Sequence, residues 1–209
     1  LIAESDLKDL GMHTELCSDA YLSMYRAGKL TNRKKKIDRG KGVFGCAIGS
    51  PELYEWVDDN HGVAAYPLEY VNRPSVIAQI DNMVSINSCV QVDLMGQVAS
   101  ESIGPMQISG TGGQVDFIRG AARSRGGRAI IAMPSTVKGK TSKIVSVLDA
   151  GAAVTTCRCD VDYVVTEYGI AHLKGRTLRE RARSLIQIAH PDFQDGLKAE
   201  FERRFQTAY

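Results

Sequence analysis

The segment from Ile108 to Pro134 constrains the fold of this chain more than any other. Ile108 reads as the end of a strand, and Gly110-Thr111-Gly112-Gly113 follows as a tight turn. Val115 to Arg125 then carries Phe117, Ile118 and Ala121 or Ala122 at helical spacing, and Gly126-Gly127 closes the helix, as glycines commonly do. Ala129 to Met133 is a short apolar run stopped by Pro134, the pattern of a buried strand. Strand, glycine turn, helix and strand in succession predict a parallel crossover. An α/β fold with a mixed, largely parallel sheet flanked by helices is therefore expected.

Other segments supply compatible pieces. Ala20 to Lys29 predicts an amphipathic helix, Gly42 to Ile48 a strand, and Ser50-Pro51 a helix start with Leu53, Trp56 and Val57 turned inward. Val63 to Val71 reads as extended and broken by Pro67. From Met83 to Val98 apolar Val84, Ile86, Val90, Val92 and Leu94 alternate with polar Ser85, Asn87, Gln91 and Asp93, so a half-buried strand with Asn87 on its polar face is expected. Lys143 to Leu148, Ala152 to Cys157 and Val161 to Thr166 predict further strands. Thr177 with Glu180 three residues on forms a capping box for a helix that His190-Pro191 ends, and a last helix spans Asp195 to Phe205. No repeat or linker interrupts the chain, so residues 1–209 are expected to form one domain.

With 44% apolar residues the chain can bury a full core. Its 26 basic and 24 acidic residues leave a net charge of +2, which gives no global field toward nucleic acid or anionic lipid. No apolar run approaches the roughly 20 residues of a membrane helix. Glu4, Asp6, Lys8 and Asp9 do not suit a secretory signal, and five scattered cysteines are expected as free thiols in a cytoplasmic protein. Cys157 and Cys159 are spaced as metal ligands or as strand positions; with no second ligand pair, no metal is expected. The basic run within Thr31 to Asp38 is either a solvated loop or a patch near a phosphate. Leu1 is not a start methionine, which suggests a fragment of something longer.

Three places invite chemistry. The glycine segment leaves main-chain N–H groups bare at a helix start, where the dipole favours an anion or a developing oxyanion, although a plain tight turn explains it equally. Neither the Walker pattern nor the dinucleotide fingerprint is present. Glu15 is either a surface acid or a catalytic one. Glu167, at the end of an apolar strand, lies where open α/β sheets bind ligands, and a buried ion pair is the alternative. No serine sits in a Gly-x-Ser-x-Gly elbow, and His13, His61, His172 and His190 lie in separate segments.

Six segments taken in order resemble one family. They are Gly-Met-His-Thr-Glu-Leu at 11–16, Asn82 to Ser88, Val92 to Val98, Gly112 to Gly120, Val164 to Ala171, and Leu178 to Ala182 continuing through His190-Pro191-Asp192-Phe193. Together they are similar to the C-terminal domain of the acetyl-CoA hydrolase/transferase family, nearest its 4-hydroxybutyrate and butyrate CoA-transferases. The resemblance implies a CoA-transferase-like (NagB/RpiA-like) domain, the second of two in tandem, with the active site between them and the N-terminal domain absent from this sequence. It implies Glu15 as the nucleophile, Asn87 as an active-site amide, and Gly110, Gly112, Gly113 and Glu167 as groups that bind coenzyme A. The implied activity is transfer of CoA from an acyl-CoA to a carboxylate such as acetate through a glutamyl-CoA thioester. Acyl-CoA hydrolysis and a non-catalytic CoA-binding or assembly role are the alternatives. Acyl-CoA would be a substrate, with no permanent cofactor; the expected partners are the N-terminal domain and further copies of the chain, with neither nucleic acid nor membrane.

Overall fold

A computed structural model describes residues 2–209, so Leu1 falls outside the described residues. The chain divides into two compact units, one taking in the chain up to Met83 together with Arg123–Gly127, the other Val84–Ala122 and Arg128–Tyr209.

In the first unit a 3-10 turn at Ile2–Glu4 precedes β1 (His13–Cys17), α1 (Asp19–Arg26), β2 (Gly42–Ala47), α2 (Pro51–Val57), β3 (Val63–Ala65), α3 (Leu68–Val71) and α4 (Pro74–Ile77). The three strands form a parallel sheet in the order β1-β2-β3. Leu22 from α1 and Leu53 from α2 join Met12, Cys17, Phe44 and Val63 in one buried cluster. The Ser50 hydroxyl accepts the Leu53 N–H at 3.4 Å and Pro51 fills the first turn of α2, as the sequence implies. Val63 to Val71 is not extended throughout: beyond Ala65 the ring of Pro67, at φ −54°, leads into the short helix α3.

The second unit contains β4 (Val84–Asn87), β5 (Gln91–Asp93), β6 (Val98–Ala99), β7 (Ser102–Ile103), β8 (Met106–Gln107), α5 (Gln114–Arg123, whose last residue belongs to the first unit), β9 (Arg128–Ala132), β10 (Thr136–Val137), β11 (Thr141–Ser142), β12 (Ile144–Val145), β13 (Tyr163–Thr166), β14 (Gly169–His172), α6 (Leu178–Gln187) and α7 (Pro191–Phe205). Its main sheet has the order β14-β13-β9-β4, with β4, β9 and β13 parallel and β14 antiparallel at one edge. The fold is thus α/β with mixed, largely parallel sheets and flanking helices.

The crossover exists, but its first strand is β4. The chain before the glycine turn is only β8, one arm of a small hairpin with β7, and Ile108 is 49% exposed. Strand β4 also turns the opposite way from its hydrophobic pattern. Val84 and Ile86 are 50% and 58% exposed, whereas Ser85 is buried. The cause lies in the register: Ser85 pairs with Ala129 and Asn87 with Ile131, and both β9 residues are buried. The edge strand follows the face set by its central neighbour, and the Asn87 amide donates to the Ser85 hydroxyl at 2.8 Å.

Ala152 to Cys157 forms no strand beyond a single bridge between Thr156 and Val98, and Cys157 and Cys159 sit exposed around a turn, where the Cys159 N–H donates to the Cys157 sulfur at 3.3 Å. The capping box of α6 is present, with the Thr177 N–H donating to Glu180 at 2.8 Å and the Glu180 N–H to the Thr177 hydroxyl at 3.3 Å. Pro191 both ends one helix and opens the next, because the His190 ring accepts the Asp192 N–H at 3.3 Å and caps α7. Among the described residues no helix is long and apolar enough to cross a membrane.

Candidate functional site

Glu15 lies on β1, half-buried. Thr14 pairs with Phe44 and Leu16 with Cys46, so the strand period places His13, Glu15 and Gly45 together on the opposite face. Helix α3 covers that face. A Cβ at Gly45 would come within 2.3 Å of Leu68 and 3.2 Å of the Glu15 carbonyl, so glycine lets α3 approach the strand closely. His13 is buried and its Nε2 donates to the Val71 carbonyl at 2.8 Å; burial lowers its pKa, so it is a neutral packing group beside Glu15.

The start of β1 is held from the basic run, a loop in which Arg33, Lys34 and Lys36 are exposed to solvent as expected while Lys35 is buried. Asn32 accepts the Met12 N–H at 2.8 Å, and buried Lys35 donates from Nζ to the carbonyls of Met12 at 3.0 Å and Lys41 at 2.7 Å. Arg33 and Lys34 pair with Asp9, and Lys36 with Asp81. Burial pushes the Lys35 amine down to about 8, against the opposing attraction of Asp38. Between that value and the ordinary lysine range the unfolded chain holds a proton that the folded chain has released. Rising pH through this window therefore favours folding, and falling pH through about 8 removes that contribution. We expect the gain in stability from pH 7.5 to 10 to shrink by roughly 2 kcal/mol in Lys35→Met, as read by urea unfolding at the two pH values.

The second unit gathers the other sequence-derived candidates at one sheet edge. Strands β4, β9 and β13 are parallel, so their C-terminal ends share an edge, with Asn87 ending β4 and Glu167 following β13. With β9 between them, the two strands lie about 10 Å apart. The C-terminal end of α5 is tied to the chain entering β4, since the Met83 N–H donates to the Ser124 hydroxyl at 3.2 Å and the Asn82 N–H to the Arg125 carbonyl at 2.8 Å. In a crossover the helix runs antiparallel to its strands, so the glycine turn at its start lies toward the edge that carries Asn87 and Glu167. Gly112 has φ +56°, a left-handed conformation that glycine adopts without strain, and the Gly113 carbonyl accepts the Phe117 N–H at 2.9 Å to begin the helix. Exposed Gly110 meets nothing within 4 Å of an added Cβ, and its carbonyl accepts the Ser109 hydroxyl at 2.9 Å.

Glu167 is not in a buried ion pair. Its carboxylate is exposed and is held chiefly by Ser135, whose N–H donates to Oε2 at 2.8 Å and whose hydroxyl donates to Oε1 at 2.6 Å, with a further bond from the main chain of Glu167 itself. Those bonds hold Glu167 below the usual glutamate range. A groove of about 530 Å³ runs beside it, lined by Ala132, Met133, Pro134, Val165, Thr166 and Glu167. Sequence reasoning did not find Ser135, Lys35 or Asn32. Pro134 marks the end of β9, yet nothing local indicates that the next residue meets a glutamate 32 positions away. Among the described residues no group of three or more His, Cys, Asp or Glu side chains is placed to hold a metal ion.

Residues 49–201 match the family described as acetyl-CoA hydrolase/transferase C-terminal domain; Asn87, the glycine turn and Glu167 fall within the match and Glu15 precedes it. The chain is 61% identical to 4-hydroxybutyrate coenzyme A transferase of Clostridium kluyveri over 95% of its own length and 46% of that protein's. It is 54% identical to the probable butyrate:acetyl-CoA coenzyme A-transferase of Syntrophomonas wolfei, over 97% and 46% of the two chains. Among solved structures, 4-hydroxybutyrate CoA-transferase from Porphyromonas gingivalis superposes with a TM-score of 0.80 at 48% identity, covering 95% of this chain and 46% of that one. The chain thus spans about half the length of the relatives it matches.

Proposed function

The chain belongs to the acetyl-CoA hydrolase/transferase family, and from that premise we propose that it is the C-terminal CoA-transferase part of a longer enzyme. Both units together form that part, and the enzyme moves coenzyme A from an acyl-CoA to a carboxylate such as acetate. The observation that carries this reading is one parallel sheet in which Asn87 ends β4 and Glu167 follows β13 at the same edge, toward which the crossover turns the glycine segment before α5. The identity to enzymes named as CoA-transferases supports the same reaction.

Glu15 is the nucleophile in this scheme. Its carboxylate attacks the thioester carbonyl and expels the CoA thiolate, leaving a mixed anhydride between the acyl group and Glu15. The thiolate then attacks the glutamyl carbonyl, which releases the first carboxylate and leaves a glutamyl-CoA thioester. The acceptor carboxylate attacks that thioester, again forming an anhydride and freeing the thiolate. Attack of the thiolate on the new acyl carbonyl releases the product acyl-CoA and regenerates Glu15. No proton is gained or lost in the cycle, so no general base is needed. Each tetrahedral stage needs oxyanion donors, and the amides of Gly112 and Gly113 are groups of that kind, worth on the order of 3 kcal/mol each in comparable sites. Covalent catalysis divides the transfer into easier steps, and positioning supplies much of the rest.

Incubating the enzyme with acyl-CoA and then borohydride should reduce the glutamyl thioester and label the peptide containing Glu15. An unlabelled peptide counts against the mechanism. Release of free CoA equal to acyl-CoA consumed, with acetate present and no CoA transferred to it, would mark a hydrolase instead. Five free thiols support a reducing, cytoplasmic setting, and we read the enzyme as a homo-oligomer by the family resemblance.

A further inference from the structure

Resting on the reading of Glu167 as a ligand-binding group, we infer that Ser135 is its positioning residue. Ser135 fixes the Glu167 carboxylate so that its outward lone pairs accept from an uncharged donor, an amide N–H or hydroxyl of bound acyl-CoA.

Ser135 is fully buried and pinned on both sides of its peptide. Its N–H goes to Glu167 and its carbonyl accepts the Lys143 N–H at 2.8 Å. Its hydroxyl takes the second carboxylate oxygen, so each oxygen of Glu167 spends one acceptor position inward. An ionised carboxylate has about four such positions and no donor of its own. The Glu167 main-chain N–H takes a further position, and the rest are left to the side of the groove that Glu167 lines.

The charge of that groove selects the ligand group. Ala132, Met133, Pro134 and Val165 give it an apolar wall, Thr166 adds no charge, and no lysine or arginine is among its lining residues. A phosphate or carboxylate placed there would face an ionised glutamate without a compensating cation. A neutral donor on an otherwise apolar arm meets the same carboxylate favourably, through a charge-assisted hydrogen bond. The His190 side chain also acts on Glu167 and favours its ionised form.

The test compares Ser135→Ala, Ser135→Thr and Glu167→Gln by two readouts. In the 209-residue chain, the Glu167 carboxyl followed by carbon NMR should titrate at higher pH in Ser135→Ala than in the wild type and return in Ser135→Thr. In the enzyme that contains this chain, Ser135→Ala should raise KM for acyl-CoA about tenfold with kcat changed less than about threefold, and Ser135→Thr should recover most of the loss. Adding Ser135→Ala to Glu167→Gln should cost little more, because the carboxylate it positions is already gone. If Ser135→Ala does not fold, Ser135→Cys keeps the volume with a weak donor and should move both readouts in the same direction. An unmoved carboxyl titration, an unchanged KM, or a full Ser135→Ala penalty in the Glu167→Gln background overturns the inference. The NMR readout needs no turnover, so failure of the Glu15 mechanism would leave it intact and the two failures remain distinguishable.

Discussion

Replacing Glu15 by glutamine in the enzyme that carries this chain should lower CoA transfer by roughly four orders of magnitude or more, while leaving the fold in place. The expectation follows from the chemistry of the intermediate. Glutamine matches glutamate in volume and suits the half-buried position on β1, but its neutral amide cannot attack a thioester as a carboxylate does. Strand pairing to β2 runs through main-chain groups that the substitution does not touch. Steady-state transfer from acyl-CoA to acetate, with circular dichroism as a check on folding, measures both parts. A well-folded variant that still transfers CoA at even a tenth of the normal rate would remove Glu15 from the role of nucleophile. Loss of transfer together with loss of structure would instead make Glu15 a support for β1.

The largest effect on stability should come from Phe201→Ala in α7. Phe201 is fully buried, with Phe205 at 4.8 Å and Tyr209 at 5.4 Å between ring centroids and the Arg183 guanidinium 5.2 Å from its own. Truncation removes the ring from a site with partners on several sides, and such changes cost about 3–5 kcal/mol. For a chain of this size each kcal/mol moves the midpoint by about 2–4 °C, so the melting temperature should fall by roughly 10 °C. The aromatic contacts and the cation over the ring add to the loss, since both depend on the face that alanine lacks. A differential scanning experiment that finds a shift below about 3 °C would show that α7 contributes little to the cooperative core of the second unit.

Local signals carried much of the fold. Ser50-Pro51 opens α2, and Thr177 with Glu180 opens α6, because capping is settled among residues three or four apart. The glycine turn opens α5 for the same kind of reason. The basic run at residues 31–38 was less legible. It holds a lysine that becomes a buried donor to Met12, and no property of four adjacent cations tells which one will be enclosed. The inward face of β4 was misread because Val84 and Ile86 suggest one answer and the neighbouring Ala129 and Ile131 impose another. A strand at a sheet edge has too little surface to overrule its partner.

By itself the sequence determined the α/β class, the capped helices, the glycine turn and, through six ordered motifs, the family. It also named Glu15, Asn87 and Glu167 as the residues to examine. Tertiary structure alone decided that Glu167 leans on Ser135 rather than on a cation, that Lys35 and Asn32 hold the strand bearing Glu15, and which face of β4 is wet. The physical reason is range. Caps and turns are fixed by bonds spanning a few residues, whereas these pairings join residues from 20 to 44 positions apart and form only once the strands have found their neighbours.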